Sequence, residues 1–317
     1  MHIPDAYIPL SQSAIYWAIS IIFIVRAIKW VRNMDENMIP LFGVLAAGMF
    51  VLQTINIAAN LIIPVPMLGG VSWHIVGAAL TAIIFASPWA AVLLLTLVLA
   101  IQSLFGDGGI TTMGANILNM GIIGGFTGYY CFIGLSKLST KRSINLFISA
   151  MVSMILPSIA LAFELWLAGT FPLKQGVLLM SIFQGTAGIG EGIITVIVFN
   201  AIVKTRPDII SEERYNVSTS RVAIVGLIIF LGLAIAAPFL ASSNPDGLEQ
   251  TAGMIINNNI GEIGNTIPTL FSDYAIPGLG KAGEVAAIIL GLTIILIIWY
   301  GISKILKNRL IKNQNNR

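Results

Sequence analysis

The 317-residue sequence is 56% apolar and only 10% charged, and its mean hydropathy is +0.90. A water-soluble domain carries about 25% charged residues because its surface faces water, so a soluble fold is excluded and most of this surface must face lipid. The formal charge of +3 comes from short basic clusters between apolar runs, a pattern that argues against nucleic acid as a partner.

Apolar runs near 20 residues, enough at about 1.5 Å per residue to cross a hydrocarbon layer of about 30 Å, recur along nearly the whole chain. In chain order they predict seven helices, at 13–31, 39–59, 71–86, 89–105, 115–138, 144–168 and 177–203. A charged linker follows at 204–220 (KTRPDIISEERYNVSTS), and then two more helices at 221–240 and 285–305. The expected fold is all-α and integral to the membrane: a seven-helix bundle, then a two-helix C-terminal module with an external loop. The units are 1–208, a cytoplasmic linker 209–220, and 221–317. The third and fourth runs are short and separated by Ser87-Pro88, which suits a tilted or partly re-entrant element. Cys131 lies inside an apolar run and reads as a small core residue.

The basic residues orient these spans. With the N-terminus outside, three clusters fall in the cytoplasm: Arg26, Lys29 and Arg32; Lys137, Lys141 and Arg142; and Lys204, Arg206, Arg214 and Arg221. The basic tail joins them, so fifteen of the seventeen Lys and Arg are inside, and only Lys174 and Lys281 are outside. That is the positive-inside pattern for an odd number of spans, with a cytoplasmic C-terminus. The loop 241–282 is then external and acidic, holding Asp246, Glu249, Glu262 and Asp273.

The two histidines are His2 and His74. The opening MHIPDAYIPL lacks the basic segment of a signal peptide. Removal of an initiator methionine needs a small second residue, so a free α-amine is expected at Met1. The amine, the deprotonated amide nitrogen of His2 and its Nδ1 can then close a five- and a six-membered chelate ring around one cation. One planar position stays open, and His74, predicted on the same side, is the imidazole available to fill it. An all-nitrogen square plane suits nickel(II) or copper(II), with cobalt(II) possible, and does not suit magnesium, calcium or structural zinc. Spacing alone leaves a packing or interfacial role open for both histidines.

Four blocks, MHIPDAYI, PVPMLGGVSWHIVGAAL, FGDGGITTMGANILNMG and GIGEGIITVIV, resemble in order the substrate-binding (S) component of energy-coupling-factor nickel/cobalt transporters, the CbiM/NikM family. The resemblance covers residues 1–208. PFLASSNPDGLEQTAG and SDYAIPG resemble the small auxiliary N-component, here fused behind the linker. The resemblance implies that Met1, through its amine, His2 and His74 bind the metal. It implies capture of Ni²⁺ or Co²⁺ as transported substrate, with no resident cofactor, at the plasma membrane of a prokaryote. The partners implied are a transmembrane coupling (T) subunit and separate ATPase subunits, besides membrane lipid. Fusion inclines the reading to nickel, with cobalt uptake for corrinoid synthesis as the alternative. The chain departs from the family at Gln184, often a histidine, and at Trp73.

Asp107, Asn116 and Asn119 lie on the side of the histidines and are candidates to hold the ligands through hydrogen bonds; capping and helix packing are the plainer roles. Glu164 and Glu191 fall within predicted spans, where a carboxylate must face the protein interior, and for Glu191 a bonded carboxyl that fixes helix contacts is the preferred reading. GDGG reads as an external turn, because no GKS/T follows. The glycines of MGIIGGFTGYY and the small residues of GVLAAGM suit close helix contact, the latter as part of a face for the coupling subunit. No Walker A motif occurs, so the chain supplies no energy itself. An autonomous ion-coupled transporter would need more polar groups along a midplane path. A membrane metalloenzyme would need an open coordination position and an acid/base, and no HExxH occurs.

Overall fold

The computed structural model describes residues 1–61, 70–138, 141–206, 219–256, 267 and 269–315. Most of the loop 60–72, most of the linker 204–220 and Glu262 therefore lie outside the described residues.

The chain is almost entirely helical. Its elements are α1 (Leu10–Val31), α2 (Ile39–Gln53), α3 (Ala78–Ile84), α4 (Pro88–Leu104), α5 (Met113–Asn116) continuing through a π-helical stretch into α6 (Gly124–Ser136), α7 (Arg142–Leu167) and α8 (Leu173–Thr205). Beyond the linker come α9 (Thr219–Leu240), α10 (Gly247–Ile256) and α11 (Gly280–Asn315). Among the described residues, seven helices are long and apolar enough to cross a membrane, so the chain is a multi-pass membrane protein. α1 shows why: only 17% of its apolar window is buried, and Leu10, Ile15, Ile21 and Ile22 project outward. Such a surface is stable only against lipid.

The third crossing departs from a simple span. Its helix α3 has seven residues, about 10 Å of rise, and residues 74–77 ahead of it belong to neither helix nor strand. Before them Ser72–Trp73 (β2) pairs antiparallel with Ile57–Ala58 (β1). Non-helical backbone at this depth must find partners within the protein. Glu191 of α8 supplies them, accepting from Val76 N at 2.9 Å and Gly77 N at 2.7 Å. The carboxylate is fully buried, in keeping with the fixing role expected of it.

Small residues set the helix spacing. A Cβ on Gly125 would lie 2.6 Å from Ala91 Cβ, and one on Gly128 2.6 Å from Ala79 Cβ, so α6 packs against α4 and α3 at glycine distance. The GVLAAGM face of α2 is occupied by the chain's own C-terminal helices rather than left free for a coupling subunit. A Cβ on Gly43 would fall 2.1 Å from the Trp299 ring of α11, and one on Gly48 2.2 Å from the Phe230 ring of α9. Trp299 Nε1 also donates to Ile39 O at 2.8 Å.

The loops sort into two ends. Residues 31–38, 136–142 and 205–206, which carry or adjoin the basic clusters, lie at one end. The N-terminus, residues 54–58, the α4–α5 turn, the α7–α8 turn and the segments flanking α10 meet at the other.

Candidate metal centre

The N-terminal seven residues thread inward and are held atom by atom. Ile3 N donates to Asn116 Oδ1 at 2.8 Å, and Ile3 O accepts from Gly109 N, Thr112 Oγ1 and Asn116 Nδ2 at 2.9, 2.6 and 3.1 Å. The Asp5 carboxylate accepts from Ile110 N at 3.1 Å, Thr111 N at 2.8 Å and the Thr111 hydroxyl. Tyr7 O accepts from Thr170 Oγ1 at 2.6 Å. The GDGG turn is the wall this segment lies against: a Cβ on Gly109 would sit 2.2 Å from Asp5 Oδ1, and Gly108 adopts a φ of +90° beside His2. Met1 is 2% exposed and His2 7%.

This threading brings together the three residues expected to bind metal. The Met1 amine lies 3.3 Å from His74 Nε2, across 73 positions of sequence. The His2 and His74 rings stack with centroids 4.8 Å apart. Of the three supporting candidates, Asp107 reaches His2 directly, with Oδ1 2.9 Å from Nδ1. Asn116 fixes the backbone one residue beyond His2. Asn119 instead donates to Glu164 Oε2 at 2.7 Å, joining α7 to the π-helical stretch. Among the described residues no three His, Cys, Asp or Glu side chains converge to hold a metal.

Sequence reasoning placed Asp246 in an acidic loop and missed its role. That loop holds the ten-residue helix α10, and Asp246 caps it, accepting from Leu248 N at 2.7 Å and Glu249 N at 2.8 Å. Glu249 reaches back to Asp246 N at 2.9 Å. This is a reciprocal cap of the type read from an acceptor residue followed three positions later by Glu, a signal present in the letters DGLE. The other oxygen of Asp246 pairs with the Met1 ammonium. Burial alone would raise the Asp246 carboxyl; the ammonium outweighs it and holds the group below its ordinary value. Asp107 behaves alike: burial would raise it, but the His2 imidazole brings it below the usual carboxylate range. Tyr274 donates to Asp107 Oδ2 at 2.7 Å, and burial together with that charge pushes its hydroxyl well up, so it remains a donor. Beside these contacts a cavity of about 610 Å³ lies between the two units, lined by His2, His74 and Asp107 on one side and Asp246, Glu249 and Tyr274 on the other.

The family model for the CbiM "cobalt uptake substrate-specific transmembrane region" matches residues 2–209, and that for the PDGLE domain matches 220–308. The chain belongs to the CbiM family, with a PDGLE domain behind it. A relative from Archaeoglobus fulgidus, named as a fused nickel transport protein NikMN, is 34% identical over 96% of this chain and 98% of its own length. A cobalt transport protein CbiM from Acetoanaerobium sticklandii is 33% identical over 64% of this chain and 85% of its own. A crystal structure of a truncated transition metal transporter superposes on 64% of this chain and 99% of its own, with a TM-score of 0.56 at 32% identity. His2, His74 and Asp107 lie within the CbiM match and Met1 directly before it, while the PDGLE match contains Asp246 and Tyr274.

Proposed function

We propose that the chain captures a Ni²⁺ or Co²⁺ ion from the external side, as the specificity subunit of an importer whose ATPase and transmembrane coupling subunits are separate proteins. The cation is the substrate. Its ligands are the Met1 amine, the amide nitrogen and Nδ1 of His2, and the His74 imidazole. The observation that carries this reading is the approach of the Met1 amine to His74 Nε2 at 3.3 Å with the His2 ring stacked alongside. A buried ammonium and two buried imidazoles in one place is an arrangement with no packing advantage. The names of the relatives, nickel and cobalt transport proteins, support the same cargo.

To close the chelate, Nδ1 must turn from Asp107 toward the amine and give up the hydrogen it donates there, to Nε2 or to solvent, and the amine and amide must each lose a proton, because a metal takes only deprotonated nitrogen. Asp107 and Asp246 hold these groups in the metal-free state. The basic loops gather at the opposite end of the helices, which under the positive-inside rule supports an external site. The test is metal analysis and competition titration with Ni²⁺ and Co²⁺ on protein whose first residue is Met1. One equivalent that His74→Ala loses supports the reading. Undiminished stoichiometry and affinity in a folded His74→Ala protein would refute it.

A further inference from the structure

His74 is a ligand under the reading above, yet its side chain does little to place itself. Its local contact is Nδ1 to Ile75 O at 3.4 Å, a long and weak one. The backbone on either side must therefore fix the imidazole, and two adjacent residues of α8 grip that backbone. Downstream of His74, Glu191 holds Val76 N and Gly77 N through both of its oxygens. Upstream, the Trp73 indole lies against Gly190 so closely that a Cβ there would be 2.0 Å from the ring. Gln53 completes the clamp, donating to Val76 O at 3.0 Å. The segment cannot hold itself, since residues 74–77 lie outside both helix and strand.

We infer that Gly190 and Glu191, the centre of the GIGEG block, position His74 for the metal, Glu191 acting through the backbone of Val76 and Gly77. A ligand must sit within roughly 0.5 Å of its productive place. Loss of both Glu191 bonds frees the segment to move by more than that. The N-terminal nitrogens, anchored separately by Asn116 and Asp5, stay where they are.

The experiment uses the full chain in detergent with a free Met1, Ni²⁺ as probe, and the visible ligand-field band of the bound ion as readout. A four-nitrogen plane absorbs at higher energy than one in which water replaces a nitrogen. Glu191→Leu is expected to move the band to the position given by His74→Ala and to weaken binding about 10–100-fold. Glu191→Gln keeps the volume and one acceptor oxygen, and is expected to fall between. General loosening of the bundle would lower the fraction that binds without moving the band of the fraction that does. A folded Glu191→Leu protein with the wild-type band and affinity overturns the inference. If that variant fails to fold, an unshifted band in Glu191→Gln does the same. Because the inference rests on the chelate reading, a wild-type band insensitive to His74→Ala removes both, whereas a His74-sensitive band that Glu191 leaves unmoved overturns this inference alone.

Discussion

Blocking the amine tests the site most directly, and the length of the block matters. One added residue would make His2 the third residue, so that an amine, two amide nitrogens and an imidazole could fill a square plane without His74. Two added residues, Gly-Ser before Met1, remove that route. They convert the Met1 amine to a peptide amide inside a segment that is nearly solvent-free, with Met1 2% and Ile3 0% exposed. The first consequence is on stability. Removing one partner of a buried ion pair costs about 3–5 kcal/mol. The Asp246 side chain is 17% exposed, so water recovers part of that, and a loss of about 2–3 kcal/mol is expected. The second is on the metal. Metal sites of four protein donors bind with about 10–16 kcal/mol, or about 3 kcal/mol per donor, so one lost nitrogen is on the order of 100-fold in affinity. Competition titration with Ni²⁺ reads the second effect, and thermal unfolding of metal-free protein reads the first. An extended protein that is helical, monodisperse and within about threefold of the native affinity would refute the chelate.

Asp246→Asn keeps the α10 cap, since Asn caps as well as Asp, but unpairs the Met1 ammonium; metal-free thermal stability should fall by about 2–3 kcal/mol. A carboxyl held below its ordinary value stabilises fully above the unfolded value near pH ~4 and less as pH falls through the folded one, so the difference from wild type should vanish in acid. Gly48→Ala drives a Cβ into the Phe230 ring and should cost about 1–3 kcal/mol in thermal unfolding. The same change at Gly232, which meets nothing within 4 Å, should be neutral or stabilise by up to about 1 kcal/mol. Loading should release protons from the ammonium and from the His2 amide, so affinity should rise with pH and the calorimetric heat should depend on the buffer.

The helices were readable because apolar runs of spanning length leave no other solution in lipid; α1, α2 and α4 begin within a few residues of their expected starts. The half-extended third crossing was legible only as a short run beside Ser87-Pro88, because hydropathy registers burial and cannot tell helix from chain whose amides are bonded by a distant carboxylate. Met1, His2 and His74 could be paired in advance, since histidine occurs at only two positions and chelate rings follow from covalent geometry. Asp246 and Tyr274 could not be tied to them, because contacts across 245 and 167 positions depend on how the C-terminal helices dock on α2. The same docking covers the GVLAAGM face, whose small residues look equally suited to a foreign helix and to Trp299 and Phe230.

Under the proposed function, the charge of the centre accounts for how a second unit can sit over a site that loads a cation. Metal-free, the amine carries one positive charge against Asp246. In the proposed complex the divalent cation is bound by a neutral amine and an anionic amide, so with both imidazoles neutral the cation and its donors together again carry one positive charge. A buried cluster whose net charge changed on loading would need compensation from elsewhere, because an unpaired buried charge is costly. Here the same carboxylate serves both states: the coordinated amine keeps hydrogens that Asp246 can accept. Asp107, likewise, loses the Nδ1 contact but retains the Tyr274 hydroxyl, at 2.7 Å. Under the proposed chelate the PDGLE unit would therefore stay in place as a wall of the centre in both states, with the cavity between the units lined by His2, His74 and Asp107 on one side and Asp246 and Tyr274 on the other.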